Sequence, residues 1–175
     1  AWLDHFLSFI PPQSNILDLG CGSGKPIAVY LIQNGHVITG IDSSDTMIAL
    51  AQQNFPQQDF PYHQWIQADM RAVNLPKKFQ GILAWDSFFH LTPNDQRAMF
   101  QQFAKFAEQG TVLMFTSGSS AGEAIGDMFG DALYHASLSQ DEYRQLLSKH
   151  GFEVVSMVAE DVGCAGHTVW LAKFI

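Results

Sequence analysis

The stretch Asn15-Ile16-Leu17-Asp18-Leu19-Gly20-Cys21-Gly22-Ser23-Gly24-Lys25-Pro26 constrains this chain more than any other. A mostly apolar strand runs into three glycines at alternate positions, and a helix then begins. Glycine has no Cβ, so the chain can turn sharply and a ligand can lie against bare backbone N–H groups. Pro26 suits a helix start, because a first-turn proline forfeits no intrahelical hydrogen bond and its φ is already helical. The result is a strand–glycine loop–helix unit that offers backbone donors to a small ligand. Its G-x-G-x-G spacing lacks the last glycine of the dinucleotide fingerprint G-x-G-x-x-G. Pro26 after Lys25 also denies it the G-K-[ST] ending of a P-loop.

A second strand, His36-Val37-Ile38-Thr39-Gly40-Ile41, ends in Asp42. An acid at the carboxyl end of that strand suits a bidentate hold on two ribose hydroxyls. With these residues in order, the chain resembles the class I S-adenosylmethionine-dependent methyltransferases. Leu17 to Gly24 is similar to their first motif, Gly40-Ile41-Asp42 to their second, and Ala68-Asp69-Met70 to the acid after their third strand. The resemblance covers most of the chain and implies a set of cofactor contacts. Gly20, Gly22 and Gly24, with Cys21 between them, would wall the methionine part of S-adenosylmethionine. Asp18 would orient the loop and meet the ligand's ammonium, directly or through water. Asp42 would hold the ribose, Asp69 would accept from the adenine amino group, and Met70 would pack on the ring. Ser43, Met47 and Trp85 complete the expected cofactor-binding set. The bland readings stand beside these: turn chemistry for the glycines, helix capping for Asp42 next to Ser43 and Ser44, and an ordinary loop aspartate for Asp69.

Composition narrows the partners. At 175 residues, 47% hydrophobic and 13% aromatic, residues 1–175 read as a single domain with a sizeable core. A net charge of −8 with nine Lys plus Arg offers no cationic footprint for nucleic acid. Apolar runs fall short of the roughly 18 residues a membrane span needs. No signal peptide or lipidation motif is legible, which makes a cytoplasmic setting the default. Cys21 and Cys164 are the only cysteines, and one sits in the glycine loop, so no disulfide is expected. Cys164 and His167 alone cannot complete a tetrahedral metal site, so no metal is expected either.

Taken in order, the periodicity predicts a helix over 2–10, which opens without a cap and leads us to expect natural chain upstream. Strands are predicted at 15–20, 36–41, 63–67, 79–85 and 111–116. Helices are predicted at 25–34, 45–54 and 93–107, with Ser43-Ser44 and Thr92-Pro93 as start signals. Ser117 to Gly130 holds four glycines and three serines without useful periodicity and reads as a mobile loop. A helix over 140–150, capped by Ser139, precedes strands at 152–158 and 167–174. The last two strands are joined too closely for a helical crossover and must pair antiparallel. The expected fold is α/β: a Rossmann-like, doubly wound, seven-stranded sheet, mostly parallel, in the order 3-2-1-4-5-7-6 that the resemblance implies.

Ligands of such sheets bind beyond the carboxyl ends of the strands. After the fourth strand comes Trp85-Asp86-Ser87-Phe88-Phe89-His90, with Asp86 and His90 at i, i+4. Methyl transfer is a displacement at carbon that needs positioning and dryness, and a base only where the nucleophile carries a proton. Asp86 and His90, with His135 beyond the glycine-rich stretch, are the acceptor-side catalytic candidates. No Asn/Asp-Pro-Pro-aromatic run and no Pro-Cys pair is present, so nucleic-acid amino and pyrimidine C5 methylation are not resembled. The expected reaction transfers a methyl group to a small-molecule acceptor, leaving S-adenosylhomocysteine, in a monomer or homodimer. Three rivals stay open: a non-catalytic sensor of the same ligand, a nicotinamide-dependent oxidoreductase, and a nucleic-acid methyltransferase, which would need a basic surface that the composition does not offer.

Overall fold

The computed structural model describes residues 1–128 and 131–175, with side chains described outside 126–132. Its strands are β1 (Asn15–Leu19), β2 (Val37–Asp42), β3 (Gln64–Gln67), β4 (Phe79–Ala84), β5 (Ala107–Ser117), β6 (Gly122–Met128), β7 (Asp131–Ser137), β8 (Phe152–Asp161) and β9 (His167–Phe174). Its helices are α1 (Trp2–Leu7), α2 (Ile27–Gln33), α3 (Asp45–Asn54), α4 (Pro93–Phe106) and α5 (Gln140–Lys149). Seven strands form one sheet in the order β3-β2-β1-β4-β5-β9-β8. The first five are parallel, and β9 runs antiparallel to both β5 and β8. Counting only the strands of this sheet, the order is 3-2-1-4-5-7-6, as expected.

Alternation within the strands splits the core into two layers, because successive side chains point to opposite faces. Leu17, Ile82, Leu113 and Trp170 face α4 and α5, where Phe88, Phe100, Phe103, Phe115 and Tyr143 join them. Their neighbours Ile16, Leu83, Met114 and Leu171 face the opposite side, against Phe6 of α1, Leu31 of α2 and Ile48 of α3. Helix starts use side-chain caps: Ser44 Oγ accepts from Met47 N, Thr92 Oγ1 from Asp95 N, and Ser139 Oγ from Glu142 N. Helix α1 ends at Leu7 rather than Ile10, and β5 begins at Ala107 and is much longer than its periodicity suggests.

The largest correction concerns the stretch read as a mobile loop. Strand β5 continues to Ser117, and β6 then pairs antiparallel with β7 from Gly122↔Ser137 to Met128↔Asp131. Residues 129 and 130 of that stretch lie outside the described residues. Repeated glycines hide the alternation that normally announces a hairpin. The base of the hairpin is held by a buried polar network. Gln96 of α4 donates from Nε2 to Ala136 O at 2.8 Å, and Tyr143 donates to Gln96 Oε1 at 2.5 Å. The Tyr143 hydroxyl also accepts from Leu138 N at 3.0 Å. Such groups are costly to bury unpaired and specify position when fully satisfied.

Two glycines mark close approaches between layers. A Cβ on Gly81 of β4 would lie 2.7 Å from Phe6 Cζ, so α1 seats directly on the sheet. A Cβ on Gly40 of β2 would lie 2.5 Å from the Trp65 ring and 2.8 Å from Cys21 Sγ. Gly40→Ala is therefore expected to destabilise the fold by roughly 1–3 kcal/mol through overpacking. Urea denaturation checks this as a lowered midpoint at constant slope; an unchanged midpoint would mean that Trp65 yields freely.

Candidate active site

The parallel registers Leu19↔Ile41, Ile41↔Ile66 and Asp18↔Leu83 bring the carboxyl ends of β1, β2, β3 and β4 level with one another. There the glycine loop is laced to β2. Gly20 N and Cys21 N both donate to Ile41 O, at 2.7 and 3.0 Å. Gly22 N donates to Asp42 Oδ2 at 2.9 Å, and Ser44 N donates to Asp42 Oδ1 at 2.9 Å. Each carboxylate oxygen thus holds one backbone N–H and keeps a further acceptor position. Gly20 adopts φ +77°, and a Cβ there would fall 2.3 Å from Ser87 Cβ. Ser87 in turn donates to Leu19 O at 2.8 Å, so the segment after β4 is pressed onto the loop.

A cavity of about 480 Å³ opens at this edge, and Gly20, Asp42, Ser43, Asp69 and Met70 line it together with Asp86 and His90. The sequence candidates from four separate strand ends therefore meet in one place. Others lie elsewhere. Met47 sits on the first turn of α3 and is 41% exposed. Trp85 faces a separate cavity of about 620 Å³ shared with Trp2, Pro26, Tyr30 and Cys164. Cys21 packs behind the loop against Gly40, where burial pushes its thiol well above the usual range. Gly24, at φ +84°, packs on Phe55, and Gly22, at φ +58°, faces open space.

Asp69 is more engaged than its sequence context suggests. Arg71 binds its carboxylate through Nε and Nη2, at 2.9 and 2.6 Å, and reaches Asp95 through Nη1 at 2.9 Å. That guanidinium holds the Asp69 carboxyl below the ordinary range. Neither Arg71 nor Ser87 was legible as a site residue, because each acts by holding another group in place.

The i, i+4 pairing of Asp86 with His90 does not form, because residues 88–90 make a single 3-10 turn. His90 Nδ1 lies 3.0 Å from Tyr134 O of β7. Asp86 adopts left-handed backbone at φ +50°, uncommon for a residue with a Cβ. Its N–H donates to Thr116 Oγ1 at 2.8 Å, that hydroxyl lies 3.2 Å from Asp86 Oδ1, and the same Oδ1 is 3.3 Å from His167 Nδ1. His135 lies across Phe89 from His167 and borders a second chamber rather than the first cavity. His167 escaped the sequence reading: its partner is distant in the chain, and its nearness to Cys164 suggested only a metal. Cys164 lies in the turn before β9, in the cavity with Trp85.

Comparison with known proteins places the chain in a family. The family described as a methyltransferase domain matches residues 16–110, and this chain belongs to it. YqeM of Bacillus subtilis (strain 168), which carries a methyltransferase name, is 31% identical over 144 residues, covering 81% of this chain and 55% of that protein. An O-methyltransferase of Pyrenophora dematioidea is 28% identical over 158 residues, covering 84% of this chain and 57% of its own length. The chain thus spans a little over half the length of these curated relatives. A S-adenosylmethionine-dependent methyltransferase structure from Methanosarcina mazei superposes with TM-score 0.81 at 16% identity, covering 99% of this chain and 97% of its own. The fold is that of the class I S-adenosylmethionine-dependent methyltransferases, and the nicotinamide-dependent reading falls away.

Asp18 supplies a pH signature. Its side chain is 2% exposed at the end of β1. Burial first, and the Asp42 charge second, raise its carboxyl from 3.8 to about 7. The unfolded chain therefore gives up this proton before the folded one does, so stability falls as pH rises from about 4 to about 7 and stays lowered above. A shift of that size corresponds to roughly 4 kcal/mol as an upper bound. Asp18→Asn is expected to gain stability over the wild type progressively across this range. Urea denaturation at pH 4, 6 and 8 reads the difference, and a gap independent of pH would contradict the raised carboxyl.

Proposed function

We propose that this domain transfers a methyl group from S-adenosylmethionine to a small-molecule acceptor, leaving S-adenosylhomocysteine. The observation that carries this reading is the single cavity in which Gly20, Asp42, Asp69 and Met70 converge from three strand ends. Their chemistry fits the donor. Asp42 is already oriented by two backbone N–H groups and retains acceptor positions for a pair of ribose hydroxyls. Gly20 borders the cavity at φ +77°, and Ser87 packs where its Cβ would be, so bare backbone fits between that side chain and the cavity. Asp69 would accept from the adenine amino group, with Arg71 and Asp95 fixing its direction, and Met70 would cover the ring. Asp18 is a buried acid that a ligand ammonium would favour in its charged form.

When bound, S-adenosylmethionine supplies an electrophilic methyl carbon on a positively charged sulfur. The chain's own part is to hold the donor rigidly, to present the acceptor beside it and to keep water away. A small acceptor is supported by a relative named as a magnesium-protoporphyrin O-methyltransferase, 27% identical over 150 residues. The net charge of −8 argues against a phosphate-backbone partner.

Calorimetric titration with S-adenosylhomocysteine, beside NAD as control, tests the reading. The former is expected to bind and the latter not. Asp42→Ala should weaken S-adenosylhomocysteine by about 10- to 100-fold, the size of losing hydrogen bonds to a charged acceptor. Unchanged affinity would remove Asp42 from the ribose site. Turnover against an acceptor panel separates an enzyme from a sensor of the same ligand.

A further inference from the structure

Between the hairpin β6–β7 and the start of β9 lies a second chamber of about 330 Å³, bordered by Phe89, Ser119, His135, Ser137 and His167. It abuts the donor cavity. Asp86 and His90 line the donor side, while Phe89, His135 and His167 line the hairpin side. Tilted and edge-on rings line the boundary: Phe89 lies 4.8 Å from His167, 5.1 Å from His135 and 4.7 Å from His90, centroid to centroid.

Asp86 of the donor side meets His167 of the hairpin side here, and the rings of His90 and His135 lie 4.9 Å apart. His167 Nδ1 is buried with no aligned hydrogen-bond partner, and Asp86 Oδ1 lies 3.3 Å from it. Asp86 is held there by Thr116 and by a left-handed backbone, a departure of the kind that marks a constrained functional position. A carboxylate facing Nδ1 places the imidazole proton on that nitrogen and leaves Nε2 as a base. Contacts of this kind commonly tighten only when the second substrate arrives.

We propose that the chamber takes a small aromatic hydroxyl compound and that His167, positioned by Asp86, removes its proton during methylation. The inference rests on the donor reading above. Three features select this class. The volume is at the small end of ligand sites, which run from about 300 to 1,000 Å³. Phe89, His135 and His167 line one side with rings, opposite the small residues of the hairpin, which favours a planar aromatic partner. A base is needed for a phenol, with a pKa of about 10, but is idle toward a carboxylate, which is already ionised at neutral pH. In the step, the phenolic oxygen forms a bond to the transferred methyl carbon as the carbon–sulfur bond breaks and its electron pair returns to sulfur. The phenolic proton passes to His167 Nε2, the imidazolium is paired with Asp86, and solvent then takes the proton.

The test compares phenol with 4-nitrophenol, a much more acidic probe, in the wild type, His167→Gln and Asp86→Asn. Calorimetry with S-adenosylhomocysteine comes first; if the wild type does not bind it, the donor reading fails, and this inference with it. With binding intact, methyl transfer to phenol is expected to fall at least 100-fold in His167→Gln, and transfer to 4-nitrophenolate less than about 5-fold. Asp86→Asn should show the same selective loss. A second readout needs no turnover. In the S-adenosylhomocysteine complex, the nitrophenolate absorbance should appear at lower pH with the wild type than with His167→Gln. Equal losses for both phenols, or no methylation of any phenol by a protein that binds S-adenosylhomocysteine, would overturn the proposal.

Discussion

The glycine loop stays open because β2 holds it by its backbone. Ile41 O receives two consecutive N–H groups, and Asp42 receives a third. Left alone, a turn with three glycines would sample many conformations, since glycine restricts φ so little. Here the ordering free energy is met by hydrogen bonds to a neighbouring strand that is itself buried on both faces. The same lacing aims the Asp42 carboxylate into the cavity, so one set of bonds shapes the loop and orients the acid. Ser87 closes the third side, bonding Leu19 O and filling the room a side chain at position 20 would need.

Much of this was readable in the sequence because it follows from local patterning. The strands are short apolar runs with acids or glycines at their carboxyl ends, and parallel registry carries those ends to one edge. Asp42, Asp69 and Gly20 therefore converge as their positions in the chain imply. What escaped was set by contacts between distant segments. The hairpin is masked by Gly122 and its fellow glycines, which read as irregular chain until pairing with 131–137 is seen. Asp86 invited a local partner at His90, yet β9 runs antiparallel beside β5 and delivers His167 instead. Arg71 was invisible for a related reason: its role is to hold Asp69, and no motif announces a holding residue.

The two cavities at the edge differ in how they are built. The donor side rests on strand ends and backbone hydrogen bonds, which tolerate little variation in position. The hairpin side rests on rings around Phe89 and on a polar network through Gln96 and Tyr143. Both meet at Asp86, whose main chain follows β4 and whose carboxylate faces β9.

The anchoring of the hairpin at its base has an evolutionary consequence. Gln96, Tyr143 and Ser137 clamp the point where β7 leaves the sheet region, whereas the described residues of β6 and β7 form a two-stranded sheet of their own. Length and sequence can therefore drift beyond the clamp without disturbing strand registry or the glycine loop. A lineage carrying this scaffold could exchange one acceptor for another by rewriting the hairpin, while its methyl donor stayed the same.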